Sequence, residues 1–149
     1  MKSLLSSIHQ IHDCLNIVCD VESNVFDSSF TGLFKRKDYV GNNVKMLLVR
    51  HSLLEIVESL IGYDALKAEI NTVAENAKDY AYALDCSTAQ LIFINEKLAG
   101  KANGQKYSMG DYNTEFKKFQ ALQQRYMSLG SKLNASFHMY SFEISQLEE

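Results

Sequence analysis

The chain has 149 residues and a formal net charge of −3, with 46% hydrophobic and 22% charged residues. These values are ordinary for one domain with a hydrophobic core, so we expect a single domain over residues 1–149 and exclude a disordered chain. The sequence contains no run of about 18 apolar residues, so no membrane span is predicted. The net charge is too small to favour nonspecific nucleic-acid binding.

The N-terminus carries polar residues where a secretion signal would have its apolar stretch, so a cytoplasmic location is expected. Three cysteines occur without a CxxC spacing, which predicts reduced thiols in or near the core and no disulfide framework or zinc site. Proline is absent, and this is typical of a chain built from long, uninterrupted helices.

The first predicted helix runs from Ser3 to about Val25. Its apolar residues alternate at spacings of four and three, and Glu22 is the one polar residue in that row. A second apolar row lies beside the first and widens the apolar face. Such a face is typical of a helix in a four-helix bundle, where each helix contacts two neighbours.

Residues 27–43 interrupt this pattern, and three apolar residues there come directly before three basic ones. The six residues are Phe30, Leu33, Phe34, Lys35, Arg36 and Lys37. The favoured interpretation is that the apolar residues cover the open end of the bundle while the basic side chains stay solvated. The alternative is an exposed partner-binding segment, or a contact with a membrane surface or a phosphate.

The second predicted helix runs from about Val44 to Ile61, with Asn42 or Asn43 as its N-cap and Gly62 as its stop. It carries two apolar rows at once, and its polar residues are confined to a strip through His51. So wide an apolar surface predicts a helix that is either central in the bundle or a surface for self-association. The central position is the favoured interpretation.

The third predicted helix runs from Asp64, as N-cap, to Ala99, with Gly100 as the glycine that ends it. The fourth follows Asp111, a second predicted N-cap, and continues to Leu147. Both helices keep an unbroken alternation of four and three between the residues of one row, which predicts that they pack along their length. The connection between them is rich in glycine and reads as a turn.

If these two helices fold back on each other, the numbers of two facing residues should have a constant sum. A sum of 210 pairs residues of compatible polarity and size. At this sum the polar Ser87 and Gln123 face each other, and the large Tyr80 faces the small Gly130. The same sum pairs Leu66 with Ile144. The predicted fold is therefore all-α, an elongated four-helix, mostly antiparallel bundle with a long C-terminal helical hairpin.

A metal site is the strongest chemical candidate in this sequence. His9 and His12 are three residues apart on one helix, and His51 with Glu55 could add ligands from another. The two N-terminal histidines, however, lie on different sides of their apolar row, and His51 falls in a strip that looks solvent-exposed. We therefore expect no cofactor and no metal, and no sequence motif indicates a catalytic residue.

The middle of the chain is acidic, and its carboxylates lie outside the apolar rows. We interpret them as an outward-facing surface formed by Glu55, Glu58, Glu69, Glu75, Asp79, Asp85 and Glu96. A solvated face is the favoured interpretation. The alternative is a docking surface for a basic partner, centred on Glu69, Glu75 and Asp79.

Two classes of function remain. The favoured class is a non-enzymatic interaction module, such as an adaptor, an inhibitor, an immunity-type protein or an assembly subunit, which binds a protein partner through a helical face and could also self-associate. The alternative is a small helical metalloprotein or enzyme that uses His9, His12 and His51. A regular bundle with complete apolar rows leaves no evident cleft for a substrate, and this favours the first class.

Overall fold

A computed structural model describes residues 3–26 and 37–147, and within them the chain forms five α-helices and no β-strand. The helices are α1 (Leu4–Val25), α2 (Tyr39–Ile61), α3 (Ala68–Ala102), α4 (Met109–Met139) and α5 (Ser141–Leu147). The predicted all-helical class is confirmed. No helix in these two ranges is both long and apolar enough to cross a membrane.

The third helix is the centre of the bundle. It packs extensively against both α2 and α4, and it also contacts α1 and α5. Sixteen of its 35 residues are buried, and they include the predicted row from Ile70 to Ile94. A second buried row lies beside the first and consists of Ala74, Ala81, Asp85, Thr88, Ile92 and Asn95. Small side chains such as the two alanines let a neighbouring helix approach closely.

The predicted contact between Tyr80 and Gly130 is confirmed. A Cβ atom added to Gly130 would lie 3.0 Å from Cε2 and 3.3 Å from Cζ of Tyr80. Further along the two helices, Asn76 Nδ2 donates to Ser136 Oγ at 3.0 Å. Residue numbers therefore fall along α4 as they rise along α3.

Two other predictions from this register are wrong, namely that Ser87 and Gln123 satisfy each other and that Leu66 faces Ile144. Gln123 donates to a carboxylate oxygen of Glu22 on α1, whereas Ser87 Oγ is buried without a hydrogen-bond partner in the described part of the chain. Glu22, the polar residue in the apolar row of α1, thus accepts the hydrogen bond that Gln123 donates. The predicted register considered only the third and fourth helices and left α1 out. Leu66 is fully exposed and precedes α3, so it cannot face Ile144, which is buried.

The start of α2 is earlier than predicted. Asp38 is the N-cap, and its Oδ1 accepts a hydrogen bond from the backbone N–H of Gly41 at 2.9 Å. The two asparagines that were predicted as caps instead connect helices. Asn42 Nδ2 donates to Asn24 Oδ1 at 2.8 Å, and Asn43 Oδ1 accepts from Asn95 Nδ2 at 2.9 Å. Gly62 ends the helix as expected.

The predicted ends of α3 are also shifted. Its first residue is Ala68, because residues 63–67 form an irregular connection, and Asp64 does not cap it. The helix continues past Gly100 to Ala102, and Gly104 is the glycine with a positive φ, at 90°. That backbone conformation favours glycine, so the turn forms four residues later than predicted.

The fourth helix begins after Ser108, whose hydroxyl accepts from the N–H of Asp111 at 3.0 Å, so Asp111 lies inside the helix and is not its cap. The helix ends at Met139, and Tyr140 separates it from the short α5. The single long helix predicted after Asp111 is therefore two helices.

Candidate protein-interaction surfaces

The most unusual surface of the molecule is the outward face of α2. Seven residues follow one another there at alternating spacings of four and three, and we call them the outer row: Val40, Val44, Leu47, His51, Leu54, Glu58 and Ile61. Five of the seven are apolar, with exposed fractions from 48% to 76%. Leu48, which is 63% exposed, adjoins this row.

The same helix buries a complete apolar row on its other side, where the members are Met46, Val49, Leu53, Ile56 and Leu60. With 100° between successive residues, the outer row lies opposite this buried row. The interpretation that both apolar rows of α2 face the bundle interior is therefore wrong. One row packs inside, and no helix among the described residues covers the other.

A groove between α2 and α4 continues this surface at the C-terminal end of α2. It has a volume of about 550 Å³. Its apolar lining consists of Val57, Ile61, Tyr82 and Leu129, and its polar lining of Lys78, Asp79, Arg125 and Ser128. Ile61 belongs to both the outer row and the groove, so the two features form one surface.

Arg50 and Asp85 connect α2 to α3 at the flank of the outer row. Arg50 Nε and Nη2 donate to the two carboxylate oxygens of Asp85 at 2.9 Å and 3.1 Å. The Asp85 side chain is 7% exposed, and this hydrogen bonding raises the pKa of Arg50. Asp85 is therefore not part of an outward acidic surface, because its buried carboxylate is paired with Arg50.

A second groove lies between α1 and α4, with Tyr80 of α3 and Tyr126 of α4 in its lining. Burial raises the pKa of Tyr126 to about 12, and the nearby carboxylate of Glu22 adds to the effect. Burial also raises the pKa of Glu22, although the hydrogen bond from Gln123 opposes this shift. Tyr126 is therefore a poor proton donor near pH 7, and the Glu22 carboxylate is already held by the hydrogen bond from Gln123.

The three cysteines are free, as expected, but only Cys14 is buried. Cys86 is half-buried, and Cys19 is exposed on α1, so the prediction that all three lie in or near the core is wrong for Cys19. Residue 19 belongs to the row beside the main apolar row of α1, which faces the open groove toward α4.

The predicted acidic site residues Glu69, Glu75 and Asp79 are all exposed. Lys78 Nζ lies 2.7 Å from a carboxylate oxygen of Glu75. Asp79 lines the groove between α2 and α4. Asp79 therefore adjoins the surface that contains the outer row, and whether the three acidic residues bind a partner stays a prediction.

Of the predicted basic and apolar segment, Phe30, Leu33, Phe34, Lys35 and Arg36 lie outside the described residues. Lys37 is described and is partly buried. Its Nζ donates to the backbone carbonyl of Val25 at 2.6 Å, which connects the start of α2 to the end of α1. At least one basic residue of this segment therefore has a structural contact.

The three candidate metal ligands lie in different surroundings. His51 Nε2 lies 3.1 Å from Glu55 Oε1, and both side chains are largely exposed. His12 lines the groove between α1 and α4, and His9 is exposed. Within residues 3–26 and 37–147, no three His, Cys, Asp or Glu side chains are placed to hold one metal ion.

Comparison with protein-family models, with curated proteins and with solved structures finds no match. The surface is therefore characterised by its own residues alone.

The sequence pattern predicted both apolar rows of α2, but it did not lead to a prediction of the second buried row of α3. Alanine and threonine at seven-residue spacing, in Ala74, Ala81 and Thr88, were the available signal.

Proposed function

We propose that this protein is a non-enzymatic interaction module, an adaptor, inhibitor, immunity-type or assembly subunit, that binds a protein partner through the outer row of α2. The finer architecture is part of the same proposal: an elongated, mostly antiparallel four-helix arrangement that holds α2 rigidly at one side, with α5 as a short extension of the C-terminal hairpin. Its cellular location is proposed to be the cytoplasm.

The exposed apolar residues of the outer row carry the proposal. Scattered apolar residues are normal on protein surfaces, but a continuous row along a whole helix is typical of an interaction site. Alternating spacings of four and three are the pattern by which one helix packs along another. The chemistry thus fits a partner that offers an apolar helical face.

Rigidity supports the same proposal. The Arg50–Asp85 pair and the Asn43–Asn95 hydrogen bond attach α2 to α3 along one flank of the outer row. A helix that is already ordered loses less conformational entropy on binding than a flexible segment does. The outer row is therefore presented in the shape that a partner would bind.

The test is site-specific photo-crosslinking in the cell of origin. A photoreactive residue at Leu47 or Leu54 should give protein crosslinks, whereas one at Met127, which is 59% exposed on α4, should not. Leu47→Glu together with Leu54→Glu should abolish the crosslinks and any cellular phenotype that depends on the protein. Crosslinks of equal yield at Met127, or an unchanged phenotype in the double variant, would refute this use of α2.

The predicted acidic and basic segments provide the matched comparison. If Glu75→Lys with Asp79→Lys weakens association more than the α2 substitutions do, and added salt does likewise, the acidic face is the binding surface. If Phe34→Asp has the dominant effect, the binding surface includes the segment of residues 30–37. Binding through the outer row of α2 should depend little on salt, because its central contacts are apolar.

A further inference from the structure

We infer that the partner seated on the outer row of α2 is a second copy of this chain, aligned antiparallel about a two-fold axis near His51. The inference rests on the proposed function, since it names the partner of the same surface. Three properties of the described residues support it: the symmetry of the row, the distribution of charge along α2, and the amount of apolar surface.

The first property is the symmetry of the outer row. Its apolar residues are arranged almost evenly about the midpoint, with Val40 and Ile61 at the ends and Leu47 and Leu54 near the centre. Turning the helix end over end therefore places Val40 on Ile61 and Leu47 on Leu54, while Val44 lies beside the aliphatic part of Glu58 of the other copy. A two-fold interface requires such a self-complementary patch, because the same surface contributes both sides.

Charge selects the antiparallel orientation. Glu58 belongs to the outer row, and Glu55 is also exposed in the second half of α2. Two parallel copies would place Glu58 directly beside Glu58. Antiparallel copies keep the two Glu58 carboxylates at opposite ends of the interface, and they also oppose the two helix dipoles.

The third property is area. Six exposed apolar side chains contribute to the surface, namely Val40, Val44, Leu47, Leu48, Leu54 and Ile61. At their exposed fractions they present on the order of 600 Å² per copy, so two copies would bury on the order of 1,200 Å², the lower end of the range for stable protein interfaces. Alternating fours and threes would let the two rows interdigitate as the helices do inside the bundle.

The first experiment measures the mass of the full chain by sedimentation equilibrium from low to high micromolar concentration. The wild type should have the mass of two chains at the upper end of this range. Leu47→Glu with Leu54→Glu should have the mass of one chain and an unchanged helical circular dichroism spectrum. A matched control, Met127→Glu on α4, should remain dimeric.

The second experiment tests the orientation by disulfide formation in a Cys19→Ser, Cys86→Ser background. Chains with His51→Cys should crosslink to each other under mild oxidation. Chains with Val40→Cys alone should not, but a mixture of Val40→Cys and Ile61→Cys chains should form the mixed dimer. Efficient crosslinking of Val40→Cys chains to one another would overturn the antiparallel arrangement.

The results separate this inference from the proposed function. A wild-type chain that stays monomeric at all concentrations, while photo-crosslinks from Leu47 reach a different protein, overturns self-association and leaves the interaction surface in place. A monomer without crosslinks from Leu47 or Leu54 overturns both. A dimer that persists in the Leu47→Glu, Leu54→Glu variant places the interface elsewhere and also overturns the inference.

Discussion

Helices α2 and α3 each carry two rows of apolar or small residues, but only α3 has both rows covered. Neighbouring helices bury one row of α3 against α4 and the other against α2. In α2, one row is buried and the outer row is exposed. The same apolar spacing in the sequence therefore corresponds to a covered row in α3 and an exposed row in α2. The spacing indicates which faces of a helix are apolar, but not which element covers them.

The residue types in these rows differ as well. The second row of α3 contains Ala74 and Ala81, which allow α2 to approach closely. The outer row of α2 contains the large Leu47 and Leu54, which would hold a packed helix further away. The second row of α3 thus combines small residues with a close contact inside the chain, whereas the outer row of α2 combines large residues with exposure, and we assign that face to a second copy.

The sharpest comparison uses two adjacent leucines of α2. Leu53 is 0% exposed and Leu54 is 48% exposed. Leu53→Ala should lower the free energy of unfolding by about 2–5 kcal/mol, because it removes buried contacts and leaves a cavity. Leu54→Ala should lower it by less than about 1 kcal/mol when unfolding is followed by urea denaturation at a concentration low enough for monomers. Equal losses would mean that both rows are buried.

The second prediction concerns the attachment of α2 to α3. Arg50→Met should lower the free energy of unfolding by about 2–3 kcal/mol, because it leaves the buried carboxylate of Asp85 without its partner. Replacing both residues, with Arg50→Met and Asp85→Leu, should recover much of the loss. Urea denaturation of the two single variants and the double variant measures this coupling, and strictly additive losses would contradict it.

The third prediction tests the contact between α3 and α4. Gly130→Leu should destabilise the protein by about 1–3 kcal/mol, because the new side chain would overlap the Tyr80 ring. Gly110→Leu is the matched control on the same helix, since a Cβ there meets nothing closer than Ser108 Oγ at 3.8 Å. Thermal denaturation should show a lower Tm for the first variant alone. A more stable Gly130→Leu protein would disprove the contact.

The smallest expected effect is a pH dependence from Glu22. Its folded-state pKa is raised by burial. Its contribution to stability is therefore complete below the ordinary glutamate pKa, about 4.3, and is lost as pH rises through the folded-state pKa. Glu22→Gln keeps an acceptor for Gln123 and removes this loss. The variant should gain stability relative to the wild type at pH 7 and not at pH 4, as measured by urea denaturation.

Much of the fold was predictable because local patterns determine it. Regular apolar spacing identified all the long helices, and the volumes of Tyr80 and Gly130 indicated a true contact. The helix starts were less predictable, because several residues near each end can cap a helix. Asn42 and Asn43 resemble caps in the sequence, yet tertiary hydrogen bonds use their side chains.

The candidate surface was predictable only in part. The two apolar rows of α2 were visible, and self-association was one of the two interpretations they allowed. Choosing between them required the position of α4, which packs on α3 and leaves the outer row open. Asp85 was misplaced for a related reason, since its partner Arg50 is 35 residues away on another helix.

The hydrogen bonds of Asn95 have a consequence for the dynamics of α2. Asn95 is fully buried and donates to the backbone carbonyl of Tyr39 and to Asn43, so it holds the first turn of α2 to α3. The last turn ends at Gly62 without a basic side chain. Among the N–H groups that donate within α2, amide hydrogen exchange should therefore be slower in residues 43–46 than in residues 58–61, so that local opening of α2 begins at its C-terminal end.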